Sequence, residues 1–407
     1  MKRITHGLLA LFILTNVYNV YAAESPATLP KVFCADPKAM AAVKASLATD
    51  KAAFQPAFQH LMAEADKALT LNPPSVMDKK MAPPSGDKHD FLSQAPYFWR
   101  DTNSPDGHYV RRDGQRNPES NRSSDAGNLG RVCSSTHTLA LAFYFTGDEK
   151  YAAKATDIIR HWFLAPATRM NPNLNFGQGI PGEVAGRPEG LISARGMVEL
   201  MDALGLLTAA KSWTAADQTA MTAWVAQYYD WLTTNKIALD EGRATNNHGT
   251  FYDTQVVALA MFLGKNEAAR ELLLKARDNR IARQIEPDGR QPRELGRTLS
   301  FDYSTFNLRA LSDLASLGRN AGVDLWHYQT ADGRSLLKAY EYMASYADPA
   351  KNWPDKQIHQ ANRGDLEQLL LRATAVYPGN NIITTALKFY PADKAKDEQV
   401  WLLYPTR

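Results

Sequence analysis

THTLALAFYFTGDEKYAAKATDIIRHWF, residues 136–163, shows how this chain is built. Its first half is apolar on almost every side, Gly147 breaks it, and Asp148 stands where a helix cap belongs. The second half places apolar residues at three- and four-residue spacing as far as Phe163, the mark of a helix with one buried face. The stretch therefore predicts a helical hairpin. TQVVALAMFLGKNEAARELLLKARDN, residues 254–279, repeats the layout with Gly264 at its turn. A unit that recurs implies an architecture of repeated hairpins.

Outward from these hairpins the same signal continues. Good helix formers run from Ala39 to Leu71, and further helices are predicted at 190–207, 214–234, 304–319, 335–347 and 364–377. Strand signals are weak. Helix pairs without strands make an all-α fold, either a superhelical solenoid or a closed ring of hairpins, the (α/α) toroid. Periodicity alone does not choose between them.

The chain has 407 residues, enough for one large repetitive core or for two units. It opens MKRITHGLLALFILTNVYNVYAAES: two basic residues, an apolar stretch around Leu8–Leu14, and small residues at VYA before Ala23. This reads as a signal peptide, residues 1–22, because the apolar stretch is shorter than the ~20 residues a membrane span needs. The expected mature protein, residues 23–407, is one domain, periplasmic or secreted and monomeric. No later segment is long and apolar enough to span a bilayer, so no membrane association is expected after cleavage. Cys34 and Cys133 both remain after cleavage, and either a bridge or two buried thiols is compatible with export. The net charge of +3 is scattered rather than gathered into blocks, which speaks against nucleic acid and mildly favours an anionic partner.

Three stretches interrupt the helices with polar and aromatic residues. The first spans 72–131, too long for a plain connector. The second is RMNPNLNFGQGIPGEVAGRPEG at 169–190. The third pairs RATNNHGTFYD at 243–253 with RQPRELGRTLSFDYS at 290–304, and concentrates Asn246, Asn247 and His248 in one short polar turn. Helices here read as scaffold and these loops as the working surface.

GDKHDFLSQAPYFW (86–99), RRDGQRNPE (111–119), RMNPNLNFGQ (169–178) and NNHGTFYD (246–253) together resemble the alginate lyase family of polysaccharide lyases, over roughly residues 85–310. The resemblance implies the toroid, an incomplete barrel of hairpins with long active-site loops. It also implies β-elimination on a 4-linked polyuronate, an anionic polysaccharide such as alginate, with no cofactor.

Elimination removes the proton at C5, beside the uronate carboxylate, and expels the oxygen at C4. The site must stabilise enolate-like charge with fixed donors, and side-chain amides and guanidinium groups donate to carboxylates without titrating. Asn247 is the candidate that neutralises the carboxylate, and the family's Asn-His pair supports it. His248 is a candidate base, since imidazole titrates near neutral pH. A phenol suits protonation of the leaving oxygen. Family members carry an Arg and a catalytic Tyr in the neighbourhood of Arg297 and Tyr303, where Arg297 is expected to lower the phenol's pKa or grip a uronate.

Asn171, Asn173, Asn175, Gln178 and Asn246 form the amide set for sugar hydroxyls, or equally a set of loop caps. Arg187 and Arg195 are candidates for neighbouring carboxylates, Trp99, Tyr97 and His137 for lining the groove by stacking on sugar faces, and Tyr252 for substrate contact, with Tyr252 and Tyr328 the alternatives to Tyr303 as the acid. Lys88, His89 and Asp90 read better as loop-ordering residues. HExxH, CxxC, phosphate-loop, nucleophile-elbow and calcium-loop patterns are absent, so no metal is expected. Two rivals stay open. A toroid glycoside hydrolase would use two carboxylates from Asp253, Glu294 and Asp302. A periplasmic oligosaccharide-binding protein would need none of these groups for chemistry.

Overall fold

The computed structural model describes residues 29–49, 53–391 and 399–405, and the signal peptide expected at 1–22 lies outside them. The hairpin at 136–163 forms, with its first helix beginning at Asp125, inside the stretch read as loop to 131. Helix α3, Asp125–Thr146, stops at Gly147, whose φ of 73° is the left-handed conformation that favours glycine. Asp148 caps α4, Glu149–Ile159, by accepting the Lys150 N–H at 3.0 Å. The second hairpin, α8 (Asn247–Phe262) and α9 (Asn266–Ala276), turns at Gly264 with φ 72°. Each hairpin closes in a single π turn, Arg160–Leu164 and Arg277–Ile281.

Between and around them lie α1 (Pro37–Thr49), α2 (Gln55–Leu69), α5 (Met197–Leu207), α6 (Ala215–Thr234) and α7 (Lys236–Gly242). After α9 come the short α10 (Ala282–Gln284) and α11 (Pro292–Leu295), then α12 (Ser300–Asn320), α13 (Leu336–Ala344), α14 (Arg363–Val376), α15 (Asn381–Ala386) and α16 (Val400–Leu403). An inner wall runs α3, α5, α8, α12, each packed on the next, with α2, α4, α6, α9 and α13 outside it. The C-terminal α16 touches α1, α2 and α14, joining the last hairpins to the first. This is the toroid, and the solenoid is set aside.

The two layers differ for a simple reason. An inner helix has neighbours on every side, so α8 is buried almost continuously from Gly249 to Ala260. An outer helix buries one stripe, as α4 does with Tyr151, Ala152, Ala155, Ile158 and Ile159. The core between the layers includes Trp162, Tyr228, Phe301 and Tyr340, all at most 1% exposed. Burial of each such aromatic is worth on the order of 2–3 kcal/mol.

The N-terminal arm closes one end of the barrel. The Cys34 and Ala35 N–H groups donate to the Asp202 carboxylate at 2.9 and 2.8 Å, and Asn320 Nδ2 donates to the Phe33 and Ala35 carbonyls at 2.7 and 2.8 Å. Cys34 and Cys133 are both free and buried, so of the two states left open it is the unbridged one that forms.

Besides the early start of α3, sequence and structure differ in three places. Two small sheets form inside the loops: β1 (Leu92–Gln94) pairs in parallel with β4 (Phe176–Gly179), and β2 (Phe98–Arg100) pairs antiparallel with β3 (Tyr109–Arg111). The helix expected from 190 opens as a 3-10 turn, Pro188–Ala194, before α5. Most consequentially, α8 starts at Asn247 rather than 254, so the Asn-His pair occupies the first helical turn and not a polar loop.

Candidate active site

A cleft of about 980 Å³ opens at the end of the barrel opposite the arm. Ala126 and Gly127 of α3, Arg195 just before α5, Asn247 and His248 of α8, and Tyr303 and Phe306 of α12 all line it. Four inner helices thus direct their N-terminal ends at one cavity. Their unpaired N–H groups and dipoles favour an anion there. The loops form its walls. Lys79 and Asp125, each with a fully buried side chain, pair at 3.0 Å, and Asp125 also accepts the Leu92 N–H at 2.9 Å, which ties the 72–131 segment to α3.

The first turn of α8 is built by contacts from far along the chain. Arg280 donates to Asp253 at 2.6 and 3.0 Å, to the Ala244 carbonyl at 2.8 Å and to the Gly242 carbonyl at 2.8 Å, folding the 242–246 loop onto the helix. Gly249 is required beneath that loop, since a Cβ there would lie 2.1 Å from the Ala244 oxygen. Glu294 accepts the Asn247 N–H at 2.6 Å and lies 2.8 Å from its Nδ2. Glu241 meets His248 Nδ1 at 2.6 Å. Burial raises both carboxyls above their ordinary range.

Arg297 donates through Nε at 3.1 Å to each Asp113 oxygen and through Nη2 at 2.7 Å, while its guanidinium lies 3.8 Å from the centre of the Tyr303 ring. Burial alone would raise Asp113, but the Arg297 and Thr298 hydrogen bonds outweigh it and bring the carboxyl down to about 2. Tyr303 shares a 2.6 Å hydrogen bond with the Tyr97 hydroxyl. Arg297 does lower the Tyr303 pKa, as expected, yet burial and Tyr97 outweigh it and the net shift is upward. The phenol therefore rests protonated. Tyr303 faces the cleft, whereas Ser304 beside it is 1% exposed.

Of the residues singled out in the sequence, Tyr97, Asn246, Asn247, His248, Arg297, Tyr303, Gln178, Arg187 and Arg195 line the cleft together. Gln178 takes a left-handed φ of 48° and donates its N–H to Ser93 Oγ at 2.8 Å, a strained backbone held at the cavity wall. Arg187 pairs with Glu189 and stacks 4.8 Å from the Phe98 ring centre, and Arg195 lies 5.7 Å from that of Phe306.

The structure does not bring the others into the cleft lining. Asn171 donates to Asp87 and Asp90 at 3.0 and 2.9 Å, Asn173 donates to Asp90 at 3.2 Å, and Asn175 accepts from Trp231 at 2.9 Å, so these amides order the loop. Trp99 donates to the Gln115 carbonyl at 2.9 Å, and Tyr252 donates to the Leu232 carbonyl at 2.9 Å. His137 lies deeper along α3, near Glu199 and Asp202. Each was chosen for its residue type, and each has its polar atoms or its position committed elsewhere. Residues without a strong sequence signal take their places: Gln94, Arg111, Arg116 and Glu241 line the cavity, and Asp113 backs Arg297. Pairing across 184 residues, as between Asp113 and Arg297, leaves no local pattern to read.

A family model described as alginate lyase matches residues 75–353. The chain belongs to the alginate lyase family. It is a polysaccharide lyase, and a solved alginate lyase from Bacteroides ovatus is 37% identical to it, with a TM-score of 0.86 over 92% of this chain and 99% of that one. Alginate lyase A1-III from Sphingomonas species A1 shares the fold at 14% identity, with a TM-score of 0.54 over 87% of this chain and 98% of its own. Variants of A1-III are known complexed with a tetrasaccharide. No match is found among curated proteins. The three candidates for a hydrolase's pair of carboxylates, Asp253, Glu294 and Asp302, are bound to Arg280, Asn247 and Gln357 and do not line the lyase's cleft.

Proposed function

We propose that this lyase cleaves a 4-linked polyuronate by metal-independent β-elimination, with alginate rich in mannuronate as its first substrate and glucuronan as its second. The observation that carries the proposal is that Asn247, His248, Arg297 and Tyr303 line one cleft at the N-terminal ends of inner helices. An anionic polymer is favoured there by those helix ends and by Arg111, Arg116, Arg187 and Arg195. The polymer would be met outside the cytoplasm, consistent with the N-terminal sequence, by a monomer without a cofactor.

Asn247 meets the carboxylate at C5 and stabilises the charge that develops as the neighbouring proton leaves. His248, with Nδ1–H donated to Glu241, presents Nε2 as the base. Glu241 then stabilises the imidazolium formed when Nε2 takes the C5 proton. Tyr303 gives its proton to O4 as the C4–O4 bond breaks, and the electrons of the C5–H bond become the C4–C5 double bond. Arg297, flat against the ring, stabilises the resulting phenolate until it regains a proton. In mannuronate and glucuronate the C5 proton and O4 share one face, so Tyr303 could also serve as base and then acid, but only after first giving up its resting proton to another group in the cleft. In guluronate they are on opposite faces and His248 must be the base.

The test is to follow ultraviolet absorbance of the unsaturated uronate on polymannuronate, polyguluronate, glucuronan and a neutral glucan, with a chelator present. A rise on one or more uronans, strongest on polymannuronate, is the expected result. No rise on any uronan would overturn the substrate, and a rise lost to chelator would overturn the metal-free mechanism.

A further inference from the structure

Asn247 and Glu294 leave one polar atom unaccounted for. With both carboxyl oxygens of Glu294 accepting from Asn247, through its backbone N–H at 2.6 Å and Nδ2 at 2.8 Å, Asn247 Oδ1 is buried without a hydrogen-bond partner. Both residues are 1% exposed. Asn247 lines the cleft and Glu294 does not, so the amide end turned away from Glu294 is the end nearer the substrate. In this arrangement that end is an acceptor, the wrong polarity for a carboxylate. The two ends of an amide have nearly the same shape, and the partner opposite decides which way it turns.

We infer that Glu294 acts as a neutral acid whose Oε2 proton is donated to Asn247 Oδ1, turning the amide so that its NH₂ end meets the uronate carboxylate. Glu294 is then a positioning residue for the reaction, and the inference rests on Asn247 being the group that meets the carboxylate. Oε1 continues to accept the Asn247 N–H. The Oε2 proton comes from solvent and stays in place through turnover, so no bond to substrate is made or broken by Glu294. The anion satisfies the amide hydrogens, which it could not do for Oδ1.

The surroundings bear on whether Glu294 holds a proton. Arg297, and His248 once it takes the C5 proton, are its neighbouring cations, and they and the α8 N-terminus favour the carboxylate form. Each cation already has its own counter-ion, however, Arg297 in Asp113 and His248 in Glu241. Tyr303, from α12, meets Arg297 with its ring rather than a charge. Burial is the largest influence on Glu294 and raises its pKa. An approaching uronate carboxylate adds a further negative charge and favours the acid again.

The activity that depends on this proton is present below the pKa of Glu294 in the folded enzyme and falls as pH rises through it. The experiment is the pH profile of kcat/KM for the wild type, Glu294→Ala, Glu294→Gln and Asn247→Ala, each checked for folding by circular dichroism. Glutamine has the same shape and presents an N–H to Asn247 Oδ1 at every pH. The expected result is a loss of tenfold or more in Glu294→Ala, recovery of most of it in Glu294→Gln, and disappearance from Glu294→Gln of the one-proton alkaline limb seen in the wild type. A folded Glu294→Gln as inactive as Glu294→Ala, or one keeping the alkaline limb, overturns the inference. Asn247→Ala separates the two ideas: if it stays active, the role given to Asn247 fails, and if it is inactive while the alkaline limb persists in Glu294→Gln, only the Glu294 proton fails. A second readout is calorimetric. Above the limb's midpoint, binding of a mannuronate oligosaccharide to Tyr303→Phe takes up one proton, judged from buffers of different ionisation enthalpy, and the Tyr303→Phe/Glu294→Gln double variant takes up none.

Discussion

Replacing Glu241 by glutamine tests how His248 is held. The carboxylate meets Nδ1 at 2.6 Å, with side-chain exposures of 18% for His248 and 3% for Glu241. At that distance a proton on Nδ1 makes a charge-assisted hydrogen bond to Glu241, leaving Nε2 unprotonated and ready to accept. Glutamine keeps the shape but loses the charge, and its amide can turn to donate to Nδ1, admitting the tautomer whose Nε2 is already occupied. A charge-assisted hydrogen bond is worth about 1.5–3 kcal/mol. At about 1.4 kcal/mol per factor of ten, the expected loss is roughly 10- to 150-fold. It should fall on kcat and kcat/KM alike, because the imidazolium that Glu241 stabilises forms only as the C5 proton is taken. Initial rates of unsaturated-uronate formation on polymannuronate and polyguluronate measure it, and the guluronate loss should be the larger. A kcat within about twofold of wild type on both polymers, or a loss confined to KM, would refute the coupling of this pair to proton transfer.

Other outcomes follow from the same geometry. Tyr303→Phe should lose activity on every uronan while keeping the fold, and an active variant would move the acid elsewhere. Asp253→Ala leaves the Arg280 charge buried and unpaired, so a loss of about 3–5 kcal/mol in denaturant unfolding is expected; a change under about 1 kcal/mol would mean that other contacts hold the loop. Asp113 sits at about 2 against an ordinary 3.8, so the stability it contributes is present above pH 3.8 and lost as pH falls toward 2. The difference in melting temperature between wild type and Asp113→Asn should accordingly shrink over that interval, and a constant difference would contradict the pairing.

The scaffold was legible wherever one helix's own pattern determined it. The predicted 214–234 is observed as Ala215–Thr234, 335–347 as Leu336–Ala344 and 364–377 as Arg363–Val376, because each carries its apolar stripe and its stop in its own residues. The start of α8 was not legible. Asn247, His248 and Gly249 are poor helix formers, and they are held in helix by Glu294 and Arg280, which arrive from 47 and 36 residues away in the pairings with Asn247 and Ala244. The short strands escaped for a related reason: β1 acquires its partner from β4 across the whole first hairpin. Amides in RMNPNLNFGQ were visible as residue types, but only the fold decides that Gln178 faces the cavity while Asn171 and Asn173 bind Asp90.

The same limit explains which half of the site the sequence concealed. Asn247, His248 and Arg297 are groups that donate or accept at the cavity surface, and each is backed by one carboxyl: Glu294, Glu241 and Asp113 respectively. A cleft at four helix N-termini, lined also by Arg111, Arg116, Arg187 and Arg195, would be more positive still without the charges of Glu241 and Asp113. Charges left to themselves in such a place would move apart and lose their aim. In the proposed mechanism an acid behind each group, buried for Asn247 and His248 and half-buried for Arg297, removes that freedom: it fixes which ring nitrogen of His248 is available, which end of Asn247 faces out, and how flat Arg297 lies on Tyr303. Attraction for a polyanion then comes from helix ends and from arginines further along the walls. In the proposed mechanism, selection among the atoms of one uronate comes from the backed groups. On the proposed mechanism, binding and chemistry draw on different residues of the same cleft, so replacing a wall arginine such as Arg116 should change affinity without disturbing the carboxylate contact at Asn247 or the proton transfers at His248 and Tyr303.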